Sequence, residues 1–200
     1  ENMASSALVL ALLALSVFCC LAEEDPSPTK HDYIPPKTSS EFFSETFDGD
    51  WKSAWISSSD PKYTGLWKVA TDPNVPALRG DLSLILSSAA KHHGISILFP
   101  RPLTLEPSDD ISELVIQYEV RFTQHHVCGG SYLKLLSQPE AGELDASTMT
   151  DSTPYTIMFG PDKCGAIDKV HFIFRHRNPL TGLFQEKHLD NPPTVPADLN

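Results

Sequence analysis

Proline constrains this chain more than any other residue. Seventeen prolines, against ten glycines, are spread along 200 residues. Proline carries no backbone N–H and clashes with the preceding helical turn, so a helical bundle is excluded. What remains between the prolines is a set of short apolar runs. Strands are expected at Phe42–Phe47, Leu66–Ala70, Leu82–Ser87, Ile95–Phe99, Leu114–Phe122, Tyr132–Leu136, Tyr155–Phe159 and Val170–Arg175. Pro61, Pro73, Pro76, Pro100, Pro102, Pro107, Pro139 and Pro161 mark the loops between them. The clearest strand signal is the fifth, where Ile116, Tyr118, Val120 and Phe122 alternate with Gln117, Glu119 and Arg121. Val170, Phe172 and Phe174 alternate with His171, Ile173 and Arg175 in the same way. An all-β sandwich or jelly roll follows.

The ends read differently. Met3 to Ala22 is an apolar run closed by Glu23-Glu24-Asp25-Pro26, the form of a secretory signal peptide over residues 1–22. Two features depart from that form: no Lys or Arg precedes the run, and Cys20 stands where a small residue is usual. An uncleaved anchor or a buried helix is the alternative. Residues 23–40 are polar and proline-bearing and are expected to be a mobile leader. A globular domain is expected over residues 41–190. The tail from Asn191 to Asn200 reads as a loop leading into a missing region, which leaves the sandwich incomplete at its C-terminal end.

Charge narrows the partners. With 15 basic and 26 acidic residues the net charge is −11, which disfavours nucleic acid and anionic membrane surfaces. After the signal only Cys128 and Cys164 remain, and an even count in an oxidising compartment suggests one disulfide. Two buried thiols are the alternative, while zinc is disfavoured without a C-x-x-C pair.

Chemistry concentrates in two segments. In a strand from Tyr132, the side chains of Tyr132 and Lys134 face away from Leu133 and Leu135. Gly129 and Gly130 beside them allow a ligand or a neighbouring backbone to approach. An aromatic ring to stack on an apolar sugar face, with a cation beside it to donate to hydroxyls, suits carbohydrate binding. An ordinary wet sheet face is the plainer reading. In the second segment Tyr155 and Ile157 share a face, and Gly160-Pro161-Asp162 reads as a turn.

These segments, VCGGSYLKLL and YTIMFGPDKCG, resemble the signature segments of the calnexin/calreticulin family of lectin chaperones. Ala89–Phe99, Leu114–Phe122 and Lys169–His188 agree, the last more with the calnexin branch. The resemblance runs from about Phe42 to His188. It implies a legume-lectin-like jelly roll in the endoplasmic reticulum that binds monoglucosylated high-mannose glycans on unfinished glycoproteins. Tyr132, Lys134, Tyr155, Met158 and Glu186 fall on sugar-contacting positions of the family, and Cys128 and Cys164 on its disulfide. Simple alternation from Tyr155 puts Met158 on the opposite face, so a twist or bulge is required.

The resemblance also implies a structural calcium (Ca2+), with Thr46 and Asp81 on two ligand positions and a further carboxylate beyond Asn200. Unfolded polypeptides are implied partners. A thiol oxidoreductase and a prolyl isomerase are implied through a proline-rich arm, and a membrane attachment through a C-terminal helix, none of which lies in these residues. Ser131 departs from the small apolar residue usual there.

Other readings are weaker. Arg79-Gly80-Asp81 is too common a tripeptide to imply integrin binding. Neighbours in a strand face opposite ways, so His92-His93 and His125-His126 are not chelating pairs there. No catalytic elbow, zinc helix or phosphate loop occurs. A jelly-roll glycoside hydrolase needs two facing carboxylates, for which Glu119 and Glu186 are the candidates. An adhesion module is the other alternative. A non-enzymatic lectin is the expectation.

Overall fold

The computed structural model describes residues 31–35, 42–71, 78–104, 113–123 and 125–195. The expected signal peptide, most of the leader and residues 196–200 lie outside them. The described residues hold strands and two short 3-10 turns, Trp51–Ser53 and Ala146–Thr148, and no α-helix. The class is all-β, as the proline pattern predicts.

Among the described residues of the N-terminal half, the strands form three small pairs. β1 (His31–Asp32) runs parallel to β4 (Leu78–Arg79), and β2 (Ile56–Ser57) pairs antiparallel with β6 (Ile95–Ser96). β3 (Trp67–Ala70) pairs with β5 (Ser83–Leu86) over four residues. The segment expected to be a free leader is therefore tied at His31–Asp32. Tyr33 N–H donates to Arg79 O at 2.9 Å, and Arg79 Nε pairs with Asp32 Oδ1 at 2.6 Å.

The C-terminal half is one five-stranded antiparallel sheet. β7 (Cys128–Gly130), β8 (Leu133–Leu136), β9 (Tyr155–Cys164), β10 (Ile167–Arg177) and β11 (Phe184–His188) compose it. The order is β11-β10-β9, with β7 and β8 both paired to β9. Aromatic and branched residues, which suit a pleated surface, fill β9 and β10. Cys128 and Cys164 stand opposite each other in the β7–β9 register and are bonded.

Several expected elements differ. Leu114–Phe122 forms no strand, although Leu114, Ile116, Tyr118 and Phe122 are half-buried and the residues between them exposed. Its alternation records which side faces apolar neighbours, but a ladder also needs a partner strand, and none pairs with it among the described residues. Phe42–Phe47 is likewise irregular. Phe42 and Phe43 each lie 5.3 Å from the Phe99 ring, and Phe47 lies 5.8 Å from Trp55, in an aromatic cluster.

The expected turn at Gly160-Pro161-Asp162 is instead the middle of β9, which continues to Cys164. Gly160 makes this possible. Its φ is 139°, and a Cβ there would strike the Tyr118 hydroxyl and Ser131 O. Pro161 gives no N–H to the sheet, but its carbonyl accepts from Ser131 N–H at 2.9 Å. The reversal falls at Gly165, where φ is 58°.

The sheet has two unlike faces. On one, Ile157, Phe159, Phe172 and Phe174 line an apolar groove of about 370 Å³ with Leu114 and Ile116. Phe172 and Phe174 keep 48% and 41% of their surface exposed. Ile173, on the other face, is only 5% exposed, so the polar-rich face holds the better-sealed residue.

Candidate functional site

The β8–β9 register decides which side chains share that second face. Leu133 stands opposite Phe159, Lys134 opposite Met158 and Leu135 opposite Ile157, but Leu136 opposite Tyr155. Thr156 is thus the extra residue of a β-bulge, the irregularity that the alternation of Tyr155 and Met158 requires. With it, Tyr155, Met158 and Lys134 face one way. On β10, Ile173 stands opposite Met158, and Arg175, two residues on, points the same way and stands opposite Glu186 of β11. The sheet therefore brings together Lys134, Tyr155, Met158 and Glu186. Tyr132 lies just before β8, in phase with Lys134.

Tyr132 is held closely. Its ring lies against Gly130, where any Cβ would overlap it, and 5.8 Å from the His171 ring. Its hydroxyl donates to the carboxylate of Asp162, whose Oδ2 lies 3.0 Å from His171 Nε2. Burial first, then this bond and the Asp162 charge, push the hydroxyl well above the usual phenol range. Gly130 thus makes room for the tyrosine ring itself.

Tyr155 lies between cations from both neighbouring strands. Lys134 Nζ is 5.2 Å from its ring centre and the Arg175 guanidinium 5.3 Å. Its hydroxyl donates to Glu186 Oε1 at 3.0 Å, and burial followed by this bond raises its pKa. Lys134 also donates to Asp151 O at 3.3 Å, and its pKa is lowered chiefly by burial. Rings, ammonium donors and carboxylate acceptors on one face match the groups that a sugar offers.

The sequence reading missed Asp162, His171 and Arg175 here. Gly-Pro-Asp reads as a turn at Asp162, and the alternation of β10 puts the other two in the polar phase of a strand. Only the β9–β10 register shows that all three share the face of Tyr132 and Lys134. Glu119 and Glu186, the carboxylates a hydrolase would need, belong to different clusters. Glu119 acts on Asp81, whereas Glu186 contacts Tyr155 and pairs with Arg175.

At the expected calcium position, Asp48, two residues after Thr46, accepts from Leu82 N–H at 3.3 Å, so the Thr46 and Asp81 segments adjoin. The other oxygen of Asp48 is buried without a hydrogen-bond partner. Burial, then the charges of Asp48 and Glu119, raise the Asp81 pKa. Among the described residues no three His, Cys, Asp or Glu side chains could hold a metal between them. An orphaned carboxylate oxygen beside an acid crowded by like charges suits a cation completed by carbonyl or further oxygens. His92 packs against Tyr63 and His93 against Trp67, while His126 Nε2 lies 2.8 Å from Gly129 O. A second concavity, about 340 Å³ beside Trp51, Trp55 and Trp67, contains none of the site residues expected from the sequence.

Comparison with solved structures places the fold among lectin-like β-sandwiches. The globular domain of T. cruzi calreticulin superposes with a TM-score of 0.58 at 25% identity, over 80% of this chain and 54% of that one. Residues 43–200 match the Calreticulin family, and the chain belongs to it. It is 46% identical over 158 residues to a calnexin homolog of Schizosaccharomyces pombe, covering 74% of this chain and 27% of that protein. It is 40% identical over 185 residues to calmegin of Mus musculus, covering 86% and 29%. The chain thus spans less than a third of the length of either relative. Members of the family are lectin chaperones and not enzymes.

Proposed function

We propose that this chain carries the glycan-binding face of a lectin chaperone of the endoplasmic reticulum, which retains newly made glycoproteins by a terminal glucose on a high-mannose glycan. The observation that carries this reading is the common face of Lys134, Tyr155, Met158 and Glu186, set by the bulge at Thr156, with Tyr132 in phase. Tyr132, Tyr155 and Met158 form the walls against the apolar side of the ring. Lys134 donates to hydroxyls, and Glu186 and Asp162 accept from them. Capture is reversible, because each sugar hydroxyl exchanges a water bond for a protein bond at little net gain. Release and rebinding suit repeated rounds of folding.

Calcium, with Thr46 and Asp81 among its holders, would steady the loops at the edge of this fold. Unfolded polypeptide is a second partner. Recruitment of a thiol oxidoreductase or prolyl isomerase, and membrane attachment, belong to chain outside these residues. No helix among the described residues is long and apolar enough to cross a membrane. The Cys128–Cys164 bond fits an oxidising lumen.

The test is calorimetric titration of the full-length chain with a monoglucosylated mannose oligosaccharide and with its unglucosylated counterpart. Binding of the first alone, abolished by Tyr132→Ala and by Lys134→Ala with the fold intact, supports the site. Unchanged binding in both variants would overturn it, and cleavage of the oligosaccharide would instead indicate a hydrolase.

A further inference from the structure

Arg175 is placed more tightly than its role as a polar strand residue requires. Its guanidinium lies 5.3 Å from the Tyr155 ring centre and 5.4 Å from that of Phe184. Its Nε is 3.6 Å from Glu186 Oε1, an ion-pair distance beyond hydrogen-bond range. That Nε is buried and has no hydrogen-bond partner. The side chain as a whole is only 25% exposed. An arginine held between two rings, beside a carboxylate that already accepts from Tyr155, has little freedom to move. Lys134 differs, since an ammonium on a flexible stem can turn toward a ligand.

We infer that Arg175 is a positioning residue of the glycan site, its planar guanidinium holding the Tyr155 ring and the Glu186 carboxylate in the arrangement that receives the sugar. The inference rests on the site proposed above and adds a residue that acts through two others. Three strands meet at this point: Tyr155 comes from β9, Arg175 from β10 and Glu186 from β11. The Tyr155–Glu186 bond spans β10, so the β10 residue between them governs its geometry. A charged, ring-stacked arginine fixes both partners before ligand arrives, which lowers the ordering cost of binding. His188 Nε2 lies 3.4 Å from Glu186 Oε2, on the other side of the same carboxylate.

The experiment is titration of the full-length chain with a monoglucosylated mannose oligosaccharide. Arg175→Met keeps the apolar stem and removes the cation; Arg175→Lys keeps the charge and loses the planar fork. The expected result is about tenfold weaker binding for Arg175→Met, partly rescued in Arg175→Lys, with unchanged near-ultraviolet circular dichroism. In a Glu186→Gln background the added loss from Arg175→Met should fall below about twofold, as coupled residues require. Wild-type affinity in Arg175→Met, or an equal loss in both backgrounds, overturns the inference. If Arg175→Met does not fold, Arg175→Lys decides: weaker binding with an intact fold supports the role, and unchanged binding refutes it. Tyr132→Ala and Lys134→Ala separate the two readings, because a site that tolerates both changes refutes the glycan site itself.

Discussion

The Tyr155 hydroxyl donates to Glu186 Oε1 at 3.0 Å and so joins β9 to β11 across the intervening strand. The bond orients an aromatic wall and an acceptor with one contact. Tyr155→Phe keeps the ring and frees the carboxylate. Since one such bond contributes about 0.5–1.5 kcal/mol, affinity for a monoglucosylated oligosaccharide should fall roughly 2- to 12-fold. Thermal stability should hardly change. Equal affinities by calorimetry would show that the bond does not organise the site.

Gly160 carries a demand that no other residue meets. Its φ of 139° and the positions of the Tyr118 hydroxyl and Ser131 O leave no place for a Cβ. Gly160→Ala should cost about 1–3 kcal/mol from backbone strain alone, with the clash in addition. Denaturant unfolding measures this directly. A midpoint equal to wild type would mean that β9 can bend away at no cost, contrary to the packing described.

Much of this was legible in the residues and some was not. The shared face of Tyr132 and Lys134 follows from a period of two, because Leu133 and Leu135 claim the other side. The position of Met158 does not, since the bulge at Thr156 arises from pairing with β8 and leaves no local mark. Asp162 was hidden by its neighbours: Gly-Pro-Asp reads as a turn, yet here an unusual glycine φ lets the strand run on. Leu114–Phe122 shows the converse. Its burial rhythm was readable, but strand pairing depends on a neighbour that no local pattern specifies.

Cys128 and Cys164 close a loop across a sequence separation of 36 and stand at the end of β9 nearest Gly130 and Asp162. Replacing both by serine should lower stability by roughly 3–4 kcal/mol in the chain-entropy account. The thermal midpoint of the double variant tests the magnitude. Glycan affinity at a temperature where the variant is still folded tests the local effect. It should weaken, because β7 carries Gly130 beneath the Tyr132 ring.

Lys134 makes affinity and stability respond oppositely to alkali. Its pKa is lowered from the ordinary lysine value chiefly by burial, with Lys62 adding to the shift and Asp151 and Glu186 opposing it. The folded state therefore holds this proton less firmly than the unfolded chain. Between the lowered value and that of a free lysine, raising the pH removes the penalty and favours the fold. The same deprotonation removes the ammonium that would donate to sugar hydroxyls. Affinity should thus begin to fall below the pH at which an exposed lysine titrates. Lys134→Met should abolish the matching alkaline rise in stability in a denaturant-unfolding pH series, and a rise retained in the variant would assign it to another group.

Calcium should act on stability before it acts on sugar. The orphaned oxygen of Asp48 and the raised Asp81 pKa mark a place where negative charge lacks full compensation. A cation bound there stabilises only the folded chain, by about 2.7 kcal/mol when free calcium is a hundredfold above its dissociation constant. Calcium should therefore raise the thermal midpoint of the full-length chain, and a chelator should reverse the rise. Asp81→Asn should blunt the response while leaving Tyr132, Lys134 and Tyr155 in place. If the midpoint of the wild-type chain is the same with calcium and with chelator, Thr46 and Asp81 hold no ion. Any calcium dependence of glycan binding must then come from elsewhere.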